Sequence, residues 1–212
     1  MKYMNRQEEI YFEAAKLFNK KGFASTSMND IAAAVGITKA GLYYFVKGKE
    51  DLLNTIITYS MDRFVAEVVE PAQQEPDPVA RLMLMVRLHV HNVGSSQWEG
   101  GNPLTIIVSE TVGLGEENLK PINSIKRRYL ELIRSTLIEL RESGELADGI
   151  DITAAAFGIV GMVLHMPRWF RLDGRLSLDT VADSFVNIAL GGVLKNPAKA
   201  LSMAKSAAVV NG

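Results

Sequence analysis

The residues of this 212-residue chain whose types and spacing point to chemistry gather between Met28 and Lys49, in MNDIAAAVGITKAGLYYFVKGK. Lys39, Tyr43, Tyr44, Lys47 and Lys49 follow a Gly36-Ile37 turn there. Taken singly, Lys39 and Lys47 read as ordinary surface charges, and Tyr43 and Tyr44 as aromatics with one ring edge packed inward. Taken together, the segment meets the three requirements of a helix-turn-helix. It has an apolar face on each of two short helices, a glycine at the turn, and an exposed face on the second helix to enter a major groove. Other chemistries lack their residues. No Ser, His and acid group announces a triad, and no carboxylate or His cluster has metal spacing. His89 and His91 are two apart, on different faces of a helix, and His165 is alone. Gly113-Leu114-Gly115 is a dinucleotide-site fragment without its third glycine or a preceding strand. No cysteine is present, so thiolate metal sites, Cys nucleophiles and disulfides are excluded.

The elements that must position this segment are all helical. Ile10, Ala14, Leu17 and Phe18 form one amphipathic stripe, closed by Lys20, Lys21 and Gly22. Ser27 caps a second helix, with Asp30 in the place of a capping-box acid and Met28, Ile31, Ala32 and Val35 facing inward until Gly36. Thr38 caps a third, in which Leu42, Phe45 and Val46 share the core face. A longer helix opens at Glu50-Asp51 and holds its period to Pro71, and residues 72–78 read as a linker. Val79 to Val93 is apolar nearly all round, as a central bundle helix would be. A loop from Gly94 to Pro103, a short helix from Leu104 to Val112 and a long helix through Ile122, Ile125, Tyr129, Leu132, Ile133, Leu137 and Leu140 to Gly144 follow. Ile152 to Arg171 and Leu178 to Leu194 form a final hairpin, in which Gly158, Gly161, Gly191 and Gly192 imply close backbone approach to a packed helix. The fold class is all-α.

Here the residues carry a resemblance. Ile31-Ala32, Val35-Gly36-Ile37-Thr38-Lys39, Leu42-Tyr43-Tyr44 and Lys49-Glu50-Asp51-Leu52 closely resemble the DNA-binding domain of TetR-family transcriptional regulators, and Ala15, Leu17-Phe18 and Gly22-Phe23 sit at the family's usual distance. The match is strong over roughly residues 8 to 55. It implies a homodimer in which a helix-turn-helix head reads a double-stranded DNA operator and a larger helical body binds a small-molecule effector. Lys39, Ala40, Gly41 and Tyr44 match family positions that meet base edges, and Thr38, Tyr43 and Lys49 match positions that grip phosphate. Ser27 and Asn29 are further candidates at the start of the second helix. Phe45 departs from the His or Tyr common there and cannot hydrogen-bond phosphate.

The stretches Arg128 to Leu146 and Trp169 to Ser177 resemble a subset of the family linked to fatty-acid, acyl-CoA or sterol metabolism, which implies an apolar or acyl-type effector. Candidate pocket walls are Met83, Val86, His89, Val90, Trp98, Ile106, Tyr129, His165, Met166 and Trp169, although burial preferences favour simple core packing over ligand contact for each of them. Arg127, Arg128, Arg168 and Arg171 are candidate phosphate partners. The final hairpin is the candidate dimer interface, and the Gly- and Ala-rich composition of an ordinary core is its alternative.

Charge divides the chain the same way. The formal net charge of -1 hides eight basic against five acidic residues through Glu50, a net +3, and 15 against 19 beyond it, a net -4. The expected organisation is a DNA-binding head over 1–50, a ligand-binding and dimerisation body over 51–196 and a frayed tail over 197–212. With 48% hydrophobic and 22% charged residues the chain can bury a substantial core. The N-terminus lacks a secretory pattern, and the longest apolar run, Ala154 to Leu164, is about half of what a ~30 Å bilayer requires. A cytoplasmic, membrane-free, non-enzymatic repressor without cofactor or metal is the expectation. The competing readings are a helical small-molecule carrier, or an enzyme, that never binds DNA.

Overall fold

Helix α1, Arg6–Lys21, begins at a reciprocal capping box in which the Asn5 side chain accepts the Glu8 N–H at 2.9 Å and the Glu8 carboxylate accepts the Asn5 N–H at 3.1 Å. Its stripe buries Ile10, Ala14 and Phe18, with Leu17 only half-buried. Helix α2, Met28–Val35, carries the expected box between Ser27 and Asp30 and ends at Gly36, whose φ of 72° is left-handed. Helix α3, Lys39–Phe45, starts where Thr38 accepts the Gly41 N–H at 3.0 Å. A longer helix, α4, covers Lys49–Phe64.

Pro71 does not end this stretch as expected. The helical path passes through a π turn at Val65–Val69 into α5, Glu70–Gln74, and only residues 75–77 remain between α5 and the next helix. A proline in a regular helix loses its own hydrogen bond and collides with the carbonyl four residues back. Here the preceding turn is widened, with the Glu70 N–H bonded to the Val65 carbonyl, and that one-residue bulge accommodates the ring.

The rest is α6 (Pro78–Gly94), α7 (Glu116–Glu142), α8 (Ile152–His165) and α9 (Leu178–Val193). Gly144, at φ 77°, ends the run after α7, as anticipated. Helix α8 stops earlier than the expected Arg171 and gives way to a 3-10 turn at Met166–Arg168, because Pro167 has no N–H to continue the ladder. The computed structural model describes residues 5–94 and 116–198. The helix expected from Leu104 to Val112, the pocket candidates Trp98 and Ile106, and most of the expected tail lie outside the described residues.

The described residues fall into two units, 5–63 with 116–124, and 64–94 with 125–198. In the first, α1 packs on α2 and α2 on α3 around Phe18, Ile31, Val35 and Leu42. Helix α4 contributes fully buried Leu52, Leu53 and Ile56, and its Tyr59 donates to Glu8 at 3.0 Å. Each such large apolar side chain contributes about 1.5–3 kcal/mol by leaving water.

In the second unit α6 is central, as its all-round apolarity predicts, packing on α9, α8 and the π turn. Arg81 fixes the entry to α6. It donates to the Glu75 carbonyl at 2.8 Å, the Pro76 carbonyl at 3.1 Å and the Glu139 carboxylate on α7 at 2.7 Å. Arg87 and His91, one turn apart on α6, meet Asp183 and Asp179, one turn apart on α9. Among the described residues the only β pairing is an isolated antiparallel bridge, Leu146 with Leu194, which joins the segments after α7 and α9.

The four hairpin glycines do not serve close approach within the chain. A Cβ at Gly158, Gly161, Gly191 or Gly192 would meet nothing within 4 Å. Helices α8 and α9 instead flank an apolar groove of about 330 Å³ lined by Ala154, Ala155, Gly158, Met162, Ile188 and Gly192 among others, with Ile188 61% exposed.

Candidate nucleic-acid interface

The helix-turn-helix is rigid where it must be. Ser27 is held by its box: the Asp30 carboxylate accepts the Ser27 N–H at 2.9 Å while Ser27 accepts the Asp30 N–H at 3.1 Å. These bonds to Ser27, with Lys21 at 3.0 Å, hold the Asp30 carboxyl well below the usual carboxylate range. Buried Thr26 donates to the Gly22 carbonyl at 2.9 Å, satisfying the end of α1. Nothing in the local pattern distinguishes Thr26 from an exposed turn residue, so only packing reveals it.

On this base α3 turns Leu42 and Val46 inward and leaves Thr38, Lys39, Ala40, Tyr43 and Tyr44 exposed on the other side. Asn29 and Ser27 at the start of α2 are exposed as well, and Gly41 is half-buried. Tyr44 is 86% exposed, so its ring does not pack inward, whereas Tyr43, 47% exposed, is partly covered. Phe45, expected on the core face, is 36% exposed and meets Tyr44 edge-on with centroids 5.3 Å apart. The inward stripe is set by Leu42 and Val46, four apart, and position 45 falls on its margin. A Cβ on Gly41 would come within 3.2 Å of the capping Thr38 oxygen, so glycine keeps that cap uncrowded as well as exposing backbone.

Lys39 and Lys47 are exposed, with no ion pair among the described residues. Lys49 is different. Its ammonium donates to the Phe23 carbonyl at 2.9 Å and the Ala24 carbonyl at 3.2 Å, and stands 4.6 Å from the centroid of the Phe23 ring. Phe23 in turn lies edge-on to Phe18, 5.2 Å away. The side chain thus ties the start of α4 to the α1–α2 turn, an anchoring role that its sequence position does not reveal.

The pocket candidates divide. Val86, His89, Val90, Tyr129 and Met166 are buried in the second unit, Met83 is half-buried, and His165 and Trp169 are exposed. His89, Tyr129 and Phe64 form a closed triangle of edge-on rings, with centroid separations of 5.2, 4.9 and 5.2 Å. The Tyr129 hydroxyl lies 3.3 Å from His89 Nδ1 and 3.4 Å from the Met85 carbonyl. Burial pulls the His89 pKa down to about 3 and pushes that of Tyr129 up. Sequence placed the two residues on separate helices but could not pair them.

Among the described residues no group of His, Asp and Glu could hold a metal ion, and no helix is long and apolar enough to cross a membrane.

Comparison with known proteins agrees with this architecture. A model of "Bacterial regulatory proteins, tetR family" matches residues 10–56, and one of "Tetracyclin repressor-like, C-terminal domain" matches residues 75–193. The fatty acid metabolism regulator protein of Bacillus subtilis (strain 168) is 24% identical over 196 residues, 91% of this chain and 95% of that one. The HTH-type transcriptional repressor KstR2 of Rhodococcus jostii (strain RHA1) is 25% identical over 189 residues, covering 89% and 91%. The crystal structure of AibR in complex with isovaleryl coenzyme A and operator DNA superposes with a TM-score of 0.75 at 35% identity, covering 87% of this chain and 97% of that one. With a helix-turn-helix head, a helical second unit and both family models matched in order, the chain belongs to the TetR family of bacterial regulatory proteins.

Proposed function

We propose that the protein is a homodimeric, ligand-responsive DNA-binding repressor, released from a palindromic operator by an acyl-type effector. The observation that carries this reading is the outward face of α3, with exposed Lys39, Ala40, Tyr43 and Tyr44 on a helix held by Leu42 and Val46. That face has the chemistry of a major-groove reader, in which Lys39 donates to guanine acceptors and Ala40 meets a thymine methyl. Thr38 and Tyr43 supply hydroxyls for phosphates on either side. The relative solved with isovaleryl coenzyme A and operator DNA, and the fatty-acid regulator, support an acyl effector. The uncrowded glycines and exposed Ile188 beside the α8–α9 groove support that face as the dimer interface, where a second copy would supply the close approach. Release is a population shift: a ligand that binds better to an arrangement with mismatched head spacing lowers operator occupancy. A role as regulator rather than enzyme, and a location in the cytoplasm with the genome, follow from this reading.

The test uses a fluorescent duplex from the region upstream of the protein's own gene. Anisotropy is expected to rise with nanomolar to micromolar protein, to fall steeply as salt increases, and to fall again on adding isovaleryl-CoA. Absent or salt-insensitive binding to this and every genomic fragment would leave the helical-carrier reading in its place.

A further inference from the structure

Tyr44 is the most open large side chain on the outward face of α3, and its one ring contact among the described residues is with Phe45. The two planes stand at 86°. Helical side chains lean toward the N-terminus, over the residues three and four positions back. For Tyr44 those are Gly41, which has no side chain, and Ala40, which has only a methyl. The preceding turn of α3 therefore gives the ring no support, and an unsupported ring has its rotamers to lose on binding. Phe45 supplies what that turn lacks. It carries no hydrogen-bonding atom for a phosphate, and the inward stripe is already filled by buried Leu42 and Val46. Successive helical residues project about 100° apart and do not ordinarily face each other, so the ring contact reflects the rotamers adopted and not adjacency alone.

We propose that Phe45 is a positioning residue for DNA reading, whose ring holds that of Tyr44 in one orientation on the outward face of α3 before DNA arrives. Tyr44, so held, discriminates at a single base pair. The proposal rests on the reading role of α3 given above and names the residue that sets its most exposed reader. Because an apolar ring adds no phosphate contact, Phe45 acts on sequence preference and leaves the salt dependence alone.

The test uses the duplex that the full-length wild type binds, with each base pair substituted in turn, read by anisotropy at several salt concentrations. Tyr44→Ala locates the base pair that Tyr44 reads, as the one whose preference it abolishes. Phe45→Leu keeps an apolar side chain and removes the ring. It is expected to narrow the preference at that same base pair about threefold to tenfold, the range of one edge-on aromatic pair, with other positions and the salt slope unchanged. Phe45→Tyr keeps the ring and is expected to keep the preference, whatever its hydroxyl adds to overall affinity. In the Tyr44→Ala background Phe45→Leu is expected to have no further effect, since nothing remains to be held. Should Phe45→Leu not fold, Phe45→Met is read in the same way. A ringless variant that keeps the preference, that weakens every duplex alike, or whose effect adds in full to that of Tyr44→Ala overturns the proposal while leaving α3 as the reader. Loss of the preference in Phe45→Tyr, or a Tyr44→Ala chain that abolishes no preference, does the same. If wild type binds no duplex, the reading role falls and the proposal with it.

Discussion

At the scale of single residues, the helix-turn-helix separates side chains left exposed from side chains that hold the fold. Lys39 is exposed with no ion pair among the described residues, whereas Lys49 is spent on two main-chain carbonyls and a ring. Lys39→Ala is therefore expected to weaken operator binding by about 1–3 kcal/mol and to relax preference at one base pair, measured by anisotropy on single-substitution duplexes. An unchanged preference at every position would remove Lys39 from the reading face. Lys49→Ala is expected to weaken binding to all duplexes alike and, unlike Lys39→Ala, to lower the melting temperature. The half-buried anchor should contribute about 1 kcal/mol. Unchanged thermal stability in Lys49→Ala would argue for a phosphate contact alone. Both lysines are visible in the sequence, and only the position of Phe23 separates their roles.

At the scale of elements, the capping chemistry is local and so is legible before any fold is known. Ser27 with Asp30, Thr38, Gly36 and Gly144 all end or begin helices where their types and spacing say they should. The π turn before Pro71 and the 3-10 turn at Pro167 are not legible, because a proline announces a broken ladder without saying how the chain repairs it. The α8–α9 groove belongs to this scale too. Ile188→Asp would place a charge on its apolar wall, where dimerisation would bury it. Sedimentation is expected to show a shift from dimer to monomer at micromolar concentration, with loss of palindromic operator binding and little change in helicity. A variant that remains dimeric would place the interface elsewhere.

At the scale of the whole molecule, the -1 net charge conceals a basic N-terminal segment and an acidic remainder, and between pH 7 and 4 the buried imidazole of the second unit makes stability depend on pH. His89 has a folded pKa near 3 against an ordinary value of 6.5. The unfolded chain then binds a proton that the folded chain refuses. Stability is complete above about pH 6.5 and falls as pH drops toward 3, by up to about 1.4 kcal/mol per unit. Thermal melts between pH 7 and 4 should show this slope flattened in His89→Phe relative to wild type. Equal slopes would mean that other groups carry the acid sensitivity.

The amino-acid sequence by itself determined the all-α class and the helix-turn-helix with its caps, because each rests on periodicity and spacing within a few turns of chain, and it carried the resemblance to the family over residues 8 to 55. Tertiary structure alone decided that Lys49 anchors instead of lying free, that Phe45 slips to the margin of the core, and that the hairpin glycines face outward. It alone joined His89 to Tyr129, which stand forty positions apart in the chain and 3.3 Å apart in the fold. The physical reason is the same in each case: a side chain's partner is set by which helix lies opposite it, and that depends on how the elements pack, not on the residues beside it in sequence.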